Sequence, residues 1–185
     1  MRDDQLEATI RAIHAAPPRL VYVFAGAGSL ALHWLHAVPG SSRTVLEARD
    51  CYAPRALAEL LGQAPAQAVS EATAHVMAAW ARERATVLAE DDWPLLGVAC
   101  TAAIATDRAR KGAHRAIVAV RGGVTTISYE LTLVKGQRDR AQEEALASRL
   151  VILALARACG LPAVALPLEA GETLDCRRTT DDGRR

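Results

Sequence analysis

Aromatic residues are scarce in this chain of 185 residues. Hydrophobic residues make up 51% of the sequence, but Phe, Trp and Tyr together only 4%. The core therefore has to be built mostly from Ala, Leu and Val. A chain of this length is long enough for one sizeable core. We expect a single domain.

An excess of charge of one sign is also missing. Lys and Arg number 22 against 21 Asp and Glu, a net charge of +1, so nothing points to nucleic acid as a partner. No apolar run reaches the roughly 18 residues of a membrane span, and the polar, acidic start of the chain is unlike a signal peptide. The cysteines form no C-x-x-C pair, which favours a reducing compartment. We expect a cytoplasmic protein with no nucleic-acid or membrane partner.

Hydrophobic periodicity predicts helices alternating with strands, the pattern of an α/β domain. Predicted helices cover residues 4–15, 30–37, 54–61, 71–89 and 138–158. Predicted strands cover residues 20–24, 44–48, 95–100, 116–120 and 124–134. Ser70 is placed to cap the fourth helix. We assign residues 1–168 to the domain and predict that the polar residues 169–185 form a disordered tail.

The stretch between the first strand and the second helix reads Ala25-Gly26-Ala27-Gly28-Ser29. Glycines there allow positive φ and a close backbone approach, and the N–H groups of the following helix favour an anion. With Ser41 and Ser42 a little further on, a phosphate or ribose pocket is favoured over a simple tight turn. The same residues, with Glu47, mimic a dinucleotide fingerprint, but the helix is too short and Pro39–Gly40 breaks the unit.

The order of these motifs resembles the C-terminal domain of CinA, the nicotinamide-nucleotide amidase family. That family carries A-E-S-C-T-G-G, a short helix, P-G-S-S and then Y-S-x-x-x-K. The matching stretches span roughly residues 5–160, and each alone is loose. They are Gly28-Ser29, Gly40-Ser41-Ser42, Tyr52, Ala68-Val69-Ser70, the turn 98–102, Lys111-Gly112 and the segment 135–138.

This resemblance implies a three-layer α/β/α sandwich with a mixed sheet, and a pocket for a nucleotide or another anionic metabolite. It also implies a homo-oligomer, for which Trp34 or Trp80 could supply a contact. No cofactor is implied. The expected ligand-binding residues are Gly26, Gly28, Ser29, Ser41, Ser42, Tyr52, Ser70, Thr101, Gly112 and Arg138.

The departures from the family pattern concern its chemistry. Alignment on Pro39 places the serine nucleophile of the family on Ala25, its glutamate on Phe24 and its lysine on Leu57. A methyl group cannot attack a carbonyl. The resemblance therefore supports the fold and the place of the pocket, but not efficient amide hydrolysis by the family route.

Two interpretations of function remain open: a non-catalytic binding protein, or an amidohydrolase with a different nucleophile. Candidates for the second are Ser29, Tyr52, Cys100 and Thr101, with Tyr52 or His114 handling the proton. Buried cysteines are usually structural, which also applies to Cys51.

The remaining polar residues give weaker signals. A cluster of basic residues around Gly112 could attract a phosphate, and so could Arg138 and Arg140 at the start of the last helix. Runs of charged residues, however, usually form a solvated face. Glu144 and Arg140 lie four apart, which predicts an ordinary exposed helix face. His33 and His36 have no third ligand at suitable spacing, so no metal site is predicted. The basic residues are Arg108, Arg110, Lys111, Arg115, Arg138 and Arg140.

Overall fold

The computed structural model describes residues 4–107, 111–162 and 164–180. Within these ranges, helices and strands alternate through most of the chain. The α-helices are α1 (Asp4–Ala15), α2 (Ser29–Ala37), α3 (Pro54–Leu61), α4 (Glu71–Leu88) and α5 (Arg140–Ala158). The strands are β1 (Arg19–Ala25), β2 (Val45–Asp50), β3 (Leu95–Ala103), β4 (His114–Gly122), β5 (Thr125–Leu133) and β6 (Thr173–Thr180).

One mixed sheet in the order β2-β1-β3-β4-β5-β6 forms the middle layer. Strands β1, β2 and β3 are parallel, and β4, β5 and β6 continue the sheet antiparallel. The parallel strands therefore end together at one edge of the sheet, which is where ligands of such folds collect.

Helices cover both faces of this sheet. Alternate residues of β1 supply the two cores, because successive side chains of a strand point to opposite faces. Tyr22 and Phe24 pack on the side of α1, α2 and α5. Val21, Val23 and Ala25 pack on the side of α3 and α4. The predicted three-layer α/β/α fold with a mixed sheet is confirmed.

Helix α4 begins as predicted from the sequence. The Ser70 hydroxyl accepts a hydrogen bond from the Thr73 N–H at 3.1 Å, which satisfies one of the free N–H groups of the first turn. Ser70 therefore acts as a helix cap.

The prediction of a disordered tail is wrong for residues 173–180. These residues form β6, which pairs with β5 from Thr125↔Thr180 to Thr132↔Thr173. Leu174 is the only residue of β6 that is even partly buried. The polar composition suggested disorder, but an edge strand can be held by its main-chain hydrogen bonds without an apolar face of its own. Residues 181–185 lie outside the described ranges.

Candidate functional site

The glycine turn lies at the carboxyl end of β1. Gly26 has φ +86°, and a Cβ there would lie 2.1 Å from the Ala102 carbonyl oxygen. Gly28 has φ +107°, and a Cβ there would lie 2.3 Å from the hydroxyl of Tyr22. The same hydroxyl donates to the Gly28 carbonyl at 3.0 Å. Both glycines are therefore required by backbone conformation and by close packing.

The N-terminus of α2, where an anionic ligand was predicted, holds the carboxylate of Glu144. This carboxylate accepts from the Gly28 N–H at 3.0 Å, from the Leu30 N–H at 3.2 Å and from the Ser29 hydroxyl at 2.9 Å. A carboxylate at this position complements the helix dipole. A ligand anion would have to displace Glu144, which corrects the expectation of an open cradle.

Glu144 also decides what Ser29 can do. The Ser29 hydroxyl is exposed and donates to a carboxylate, as an activated nucleophile would. The same carboxylate accepts from the Gly28 and Leu30 N–H groups, so its oxygens are already shared with the first turn of α2. The arrangement is therefore better suited to capping the helix than to activating the serine.

Ser41 and Ser42 lie at the opposite end of β1 from the glycine turn. They belong to a short 3-10 helix, Ser41–Arg43, directly before β2. The next residue, Thr44, accepts from the N–H of Leu20, near the start of β1. Helix α2 spans about 13 Å and carries the chain back along the sheet. The Ser41 hydroxyl lies 2.7 Å from Nδ1 of His36. The structure does not bring these serines to the turn.

The position aligned with the nucleophile of the family lies in an apolar environment. Ala25, Cys51 and Leu57 are all buried and belong to one cluster under α3 and α4, here called the apolar patch. Phe24 lies on the other face of the sheet, where its ring stacks on Tyr22 with centroids 5.0 Å apart. No polar group stands at the aligned serine, lysine or glutamate positions.

Cys100 is not placed as a nucleophile. Its side chain is fully buried on the face of the sheet opposite Ala25, near the Tyr22 hydroxyl. Burial raises the pKa of the Cys100 thiol to about 12, so the thiol is neutral at physiological pH. Burial also raises the pKa of Cys51. Neither thiol has the exposed, electropositive setting of a reactive cysteine.

Thr101 lies beside Ala25 in the sheet, as the parallel register of β1 and β3 requires. Thr101 is 1% exposed, and its hydroxyl donates to the Ala68 carbonyl at 2.6 Å. Thr101 therefore holds the segment before α4 against the sheet. Thr101 lies near the carboxyl end of β3, as expected from the sequence, but its hydroxyl is already engaged.

Tyr52 follows β2 at the same edge of the sheet and is 66% exposed. Nη2 of Arg140 donates to the Tyr52 hydroxyl oxygen at 3.4 Å, and Nη1 of the same guanidinium donates to the Ala105 carbonyl at 2.8 Å. Arg140 thus connects two segments at the sheet edge. It does not pair with Glu144 as the i,i+4 spacing predicted.

A groove of about 590 Å³ opens on the face of the sheet that carries Ala25. Thr101 connects the two, since it is paired with Ala25 and bonded to Ala68 of the groove wall. The Arg115 guanidinium donates to the Val69 carbonyl at 2.5 Å and lies 3.4 Å from Glu130. The residues that line this groove are Gln67, Ala68, Val69, Ala103, Lys111, Gly112, Ala113 and Arg115.

Two of the predicted basic residues, Arg108 and Arg110, lie outside the described ranges. Lys111 and Gly112 are exposed at the groove. A second groove of about 390 Å³ is lined by Ser70 together with mostly apolar residues between Leu61 and Val76. Two of the predicted ligand-binding residues therefore line a groove. Gly112 lines the groove of about 590 Å³, and Ser70 lines the groove of about 390 Å³.

Arg138 is engaged in an internal ion pair rather than facing a pocket. Its guanidinium donates to both carboxylate oxygens of Glu172, at 2.8 and 2.9 Å, and to the Pro167 carbonyl at 2.7 Å. These hydrogen bonds lower the pKa of Glu172 below its usual value. Arg138 thereby fixes the segment that leads into β6.

The sequence analysis missed Glu143 and assigned Glu144 to an exposed face, although both carboxylates, near the start of α5, have partners elsewhere in the fold. Glu143 is fully buried, 2.8 Å from Nδ1 of His114 and 2.6 Å from the Ala105 N–H that donates to it. We call Glu143 and Glu144 the carboxylate pair. No local motif marks these two residues, because their partners lie far away in the sequence.

Within the described part of the chain, no group of three or more His, Cys, Asp or Glu residues is arranged to hold a metal ion. The same ranges contain no helix that is both long and apolar enough to cross a membrane.

Comparison with solved structures identifies the class of fold. A competence-damaged protein (CinA) superfamily protein from Escherichia coli superposes with a TM-score of 0.67 at 19% identity, covering 85% of this chain and 93% of that one. A CinA superfamily protein from Klebsiella pneumoniae gives 0.65 at 17% identity, covering 86% and 99%. The competence/damage inducible protein CihA from Agrobacterium tumefaciens gives 0.62 at 19%, covering 84% and 95%.

These similarities establish a CinA-like fold for this chain. No protein-family model matches the sequence, and the comparison with curated proteins finds no match. Because the identities are this low, the likeness concerns the fold and not the reaction.

Proposed function

We propose that this chain is a CinA-like binding protein for a small anionic metabolite of the nucleotide class. It does not hydrolyse amides by the route of the amidase family. The observation that carries this proposal is the apolar patch. Ala25 and Leu57 occupy the positions aligned with a serine nucleophile and a lysine, and both are buried among apolar side chains.

The loss of those two groups removes the attacking atom and its activation together. A nucleophile and its base act as a unit, so their absence reduces the rate by several orders of magnitude. Restoring one group alone would place a polar atom in an apolar setting without a partner.

The groove at Lys111 is the best candidate for the ligand. Its volume of about 590 Å³ lies within the range of small-molecule sites. Lys111 and Arg115 line it. Lys111 contributes positive charge where a phosphate would enter, whereas the charge of Arg115 is partly offset by Glu130 at 3.4 Å. It also lies on the same face of the sheet as Ala25, next to the Ala68 carbonyl that Thr101 holds.

Calorimetric titration with nicotinamide mononucleotide and a panel of other nucleotides tests this proposal. We expect saturable binding to the wild-type protein, weakened about tenfold by Lys111→Ala, because a charged hydrogen bond is lost. Arg55→Ala is the control, since Arg55 is exposed on α3, away from the groove. Absence of binding across the panel, or equal affinity for the Lys111→Ala variant, contradicts the proposal.

The second candidate is an amidohydrolase that uses Ser29. The hydrogen bond from Ser29 to Glu144, at 2.9 Å, is the observation that favours it. It predicts release of ammonia from nicotinamide mononucleotide and loss of that release in Ser29→Ala. Ammonia release that Ser29→Ala abolishes would replace the binding-protein proposal by this one.

A further inference from the structure

Strand β6 is the last strand of the sheet, and among the described residues no other strand pairs with its outer side. It runs regularly along β5 for eight residue pairs, without a bulge. Every residue of β6 except Leu174 is exposed. An edge strand of this kind presents unpaired N–H and C=O groups that can pair with another strand.

We propose that the outer edge of β6 pairs with β6 of a second copy of this chain, antiparallel, about a two-fold axis at Cys176. In an antiparallel pair, directly opposite residues share a face of the sheet. Placing Cys176 opposite Cys176 of the second copy puts Asp175 opposite Arg177 of the second copy. Because of the two-fold axis, Arg177 of the first copy also lies opposite Asp175 of the second copy.

Among the registers centred on Asp175, Cys176 and Arg177, the charges of the strand favour the one centred on Cys176. Centring the axis on Asp175 would oppose two carboxylates, and centring it on Arg177 would oppose two guanidinium groups. Like charges directly opposite each other destabilise a strand pair, whereas opposite charges stabilise it. The register centred on Cys176 forms two pairs of opposite charge between Asp175 of one copy and Arg177 of the other. It also places Thr173 opposite Thr179 on the same side of the sheet.

The existing contact of Arg177 is compatible with this arrangement. One guanidinium nitrogen donates to Glu71 at 2.6 Å, which holds the side chain over the α4 side of the sheet. Guanidinium has five N–H donors, so further donors remain for Asp175 of the second copy. The sequence of β6 contains no proline or lysine, two residues that commonly block edge pairing.

Oxidative cross-linking through Cys176 tests the register. Diamide would join the two thiols: one S–S bond forms, two S–H bonds break, and diamide takes up both electrons and both protons. We expect a disulfide-linked dimer on a non-reducing gel from the wild-type protein. Cys176→Ser should abolish it, and Cys159→Ser should leave it unchanged, because Cys159 is partly buried directly after α5. A cross-link that persists in Cys176→Ser overturns the register.

Sedimentation of the unoxidised protein tests the surface itself. In Asp175→Lys both opposite-charge pairs become like-charge pairs, and we expect the dissociation constant of the dimer to rise about 100-fold. Glu59→Lys is the matched control, since its carboxylate is also exposed but lies on α3. A monomeric wild type at about 0.1 mM, or equal weakening by the two variants, overturns the proposal. A monomer that binds an unrelated extended peptide along β6 would also overturn it.

Discussion

The apolar patch and the carboxylate pair lie on opposite faces of the sheet, near the edge where its parallel strands end. In the apolar patch, Ala25 and Leu57 stand at positions where the family that this sequence resembles has a serine and a lysine. The carboxylate pair places two acidic side chains on the other face, of which the sequence analysis assigned Glu144 to an exposed helix face. Glu143 is fully buried, and Glu144 contacts the turn before α2.

This contrast shows how the edge of the sheet is stabilised in this chain. Glu144 satisfies the N–H groups of α2 that could otherwise bind a ligand anion, and Glu143 joins α5 to β4 and to the segment after β3. One face of the edge is held by apolar packing and the other by internal hydrogen bonds.

The largest expected effect comes from Glu143→Ala. The change leaves His114 and the Ala105 N–H without their buried partner, and we expect unfolding to become easier by about 4 kcal/mol. Urea denaturation measures the difference. Glu83→Ala is the control, because Glu83 is exposed on α4. A loss below about 1 kcal/mol would mean that the carboxylate pair has little structural weight.

Leu57→Lys tests the apolar patch in the same way. Leu57 is 3% exposed, so the substitution removes apolar contacts and introduces a charge with no partner; we expect a loss of about 3 kcal/mol. Leu57→Met conserves volume and should cost about 1 kcal/mol or less. If the two variants unfold at the same urea concentration, the patch tolerates charge and our description of it is wrong.

Glu144→Ala removes the cap of α2 and should cost about 1.5 kcal/mol, because the Gly28 and Leu30 N–H groups and the Ser29 hydroxyl lose their common acceptor. Hydrogen exchange should show the loss as faster exchange of the N–H groups of Gly28 and Leu30. Unchanged exchange at both positions would show that Glu144 does not hold the turn.

The smallest expected effect concerns pH. The pKa of Glu172 is lowered chiefly by hydrogen bonds from Arg138, so the folded state holds its proton less tightly than the unfolded state. The stabilisation is therefore complete above the unfolded value of about 4.5 and is lost as the pH falls below it. We expect Glu172→Gln to lower the free energy of unfolding by about 1 kcal/mol at pH 7. The free energy of unfolding of this variant should also fall less steeply than that of the wild type as the pH decreases. A dependence identical to that of the wild type would contradict this.

Patterns local in sequence predicted most of the fold. Pro54 and Gly62 bound α3 as expected, and the glycines between β4 and β5 gave the hairpin. The apolar positions at Ala25 and Leu57 could also be identified, because alignment on Pro39 needs no structure. Strand β6 was missed because an exposed edge strand lacks the alternating hydrophobic pattern that marks other strands.

Long-range contacts could not be predicted. Glu144 lies 116 positions from Gly28, and nothing in the local sequence distinguishes its carboxylate from that of a surface glutamate. Ser41 was expected close to the glycine turn because only a short helix separates them in sequence. That helix carries the chain back along the sheet, so Ser41 lies near the start of β1.

Ammonia release from nicotinamide mononucleotide tests the central claim most directly. We predict no release above background by the wild-type protein at pH 7, because no attacking group stands at Ala25 and the polar neighbours of the site are engaged. Saturable release by the wild type would contradict the account. The double variant Ala25→Ser and Leu57→Lys, measured beside it once urea unfolding has shown that it folds, tests whether the scaffold supports the reaction when those two groups are restored.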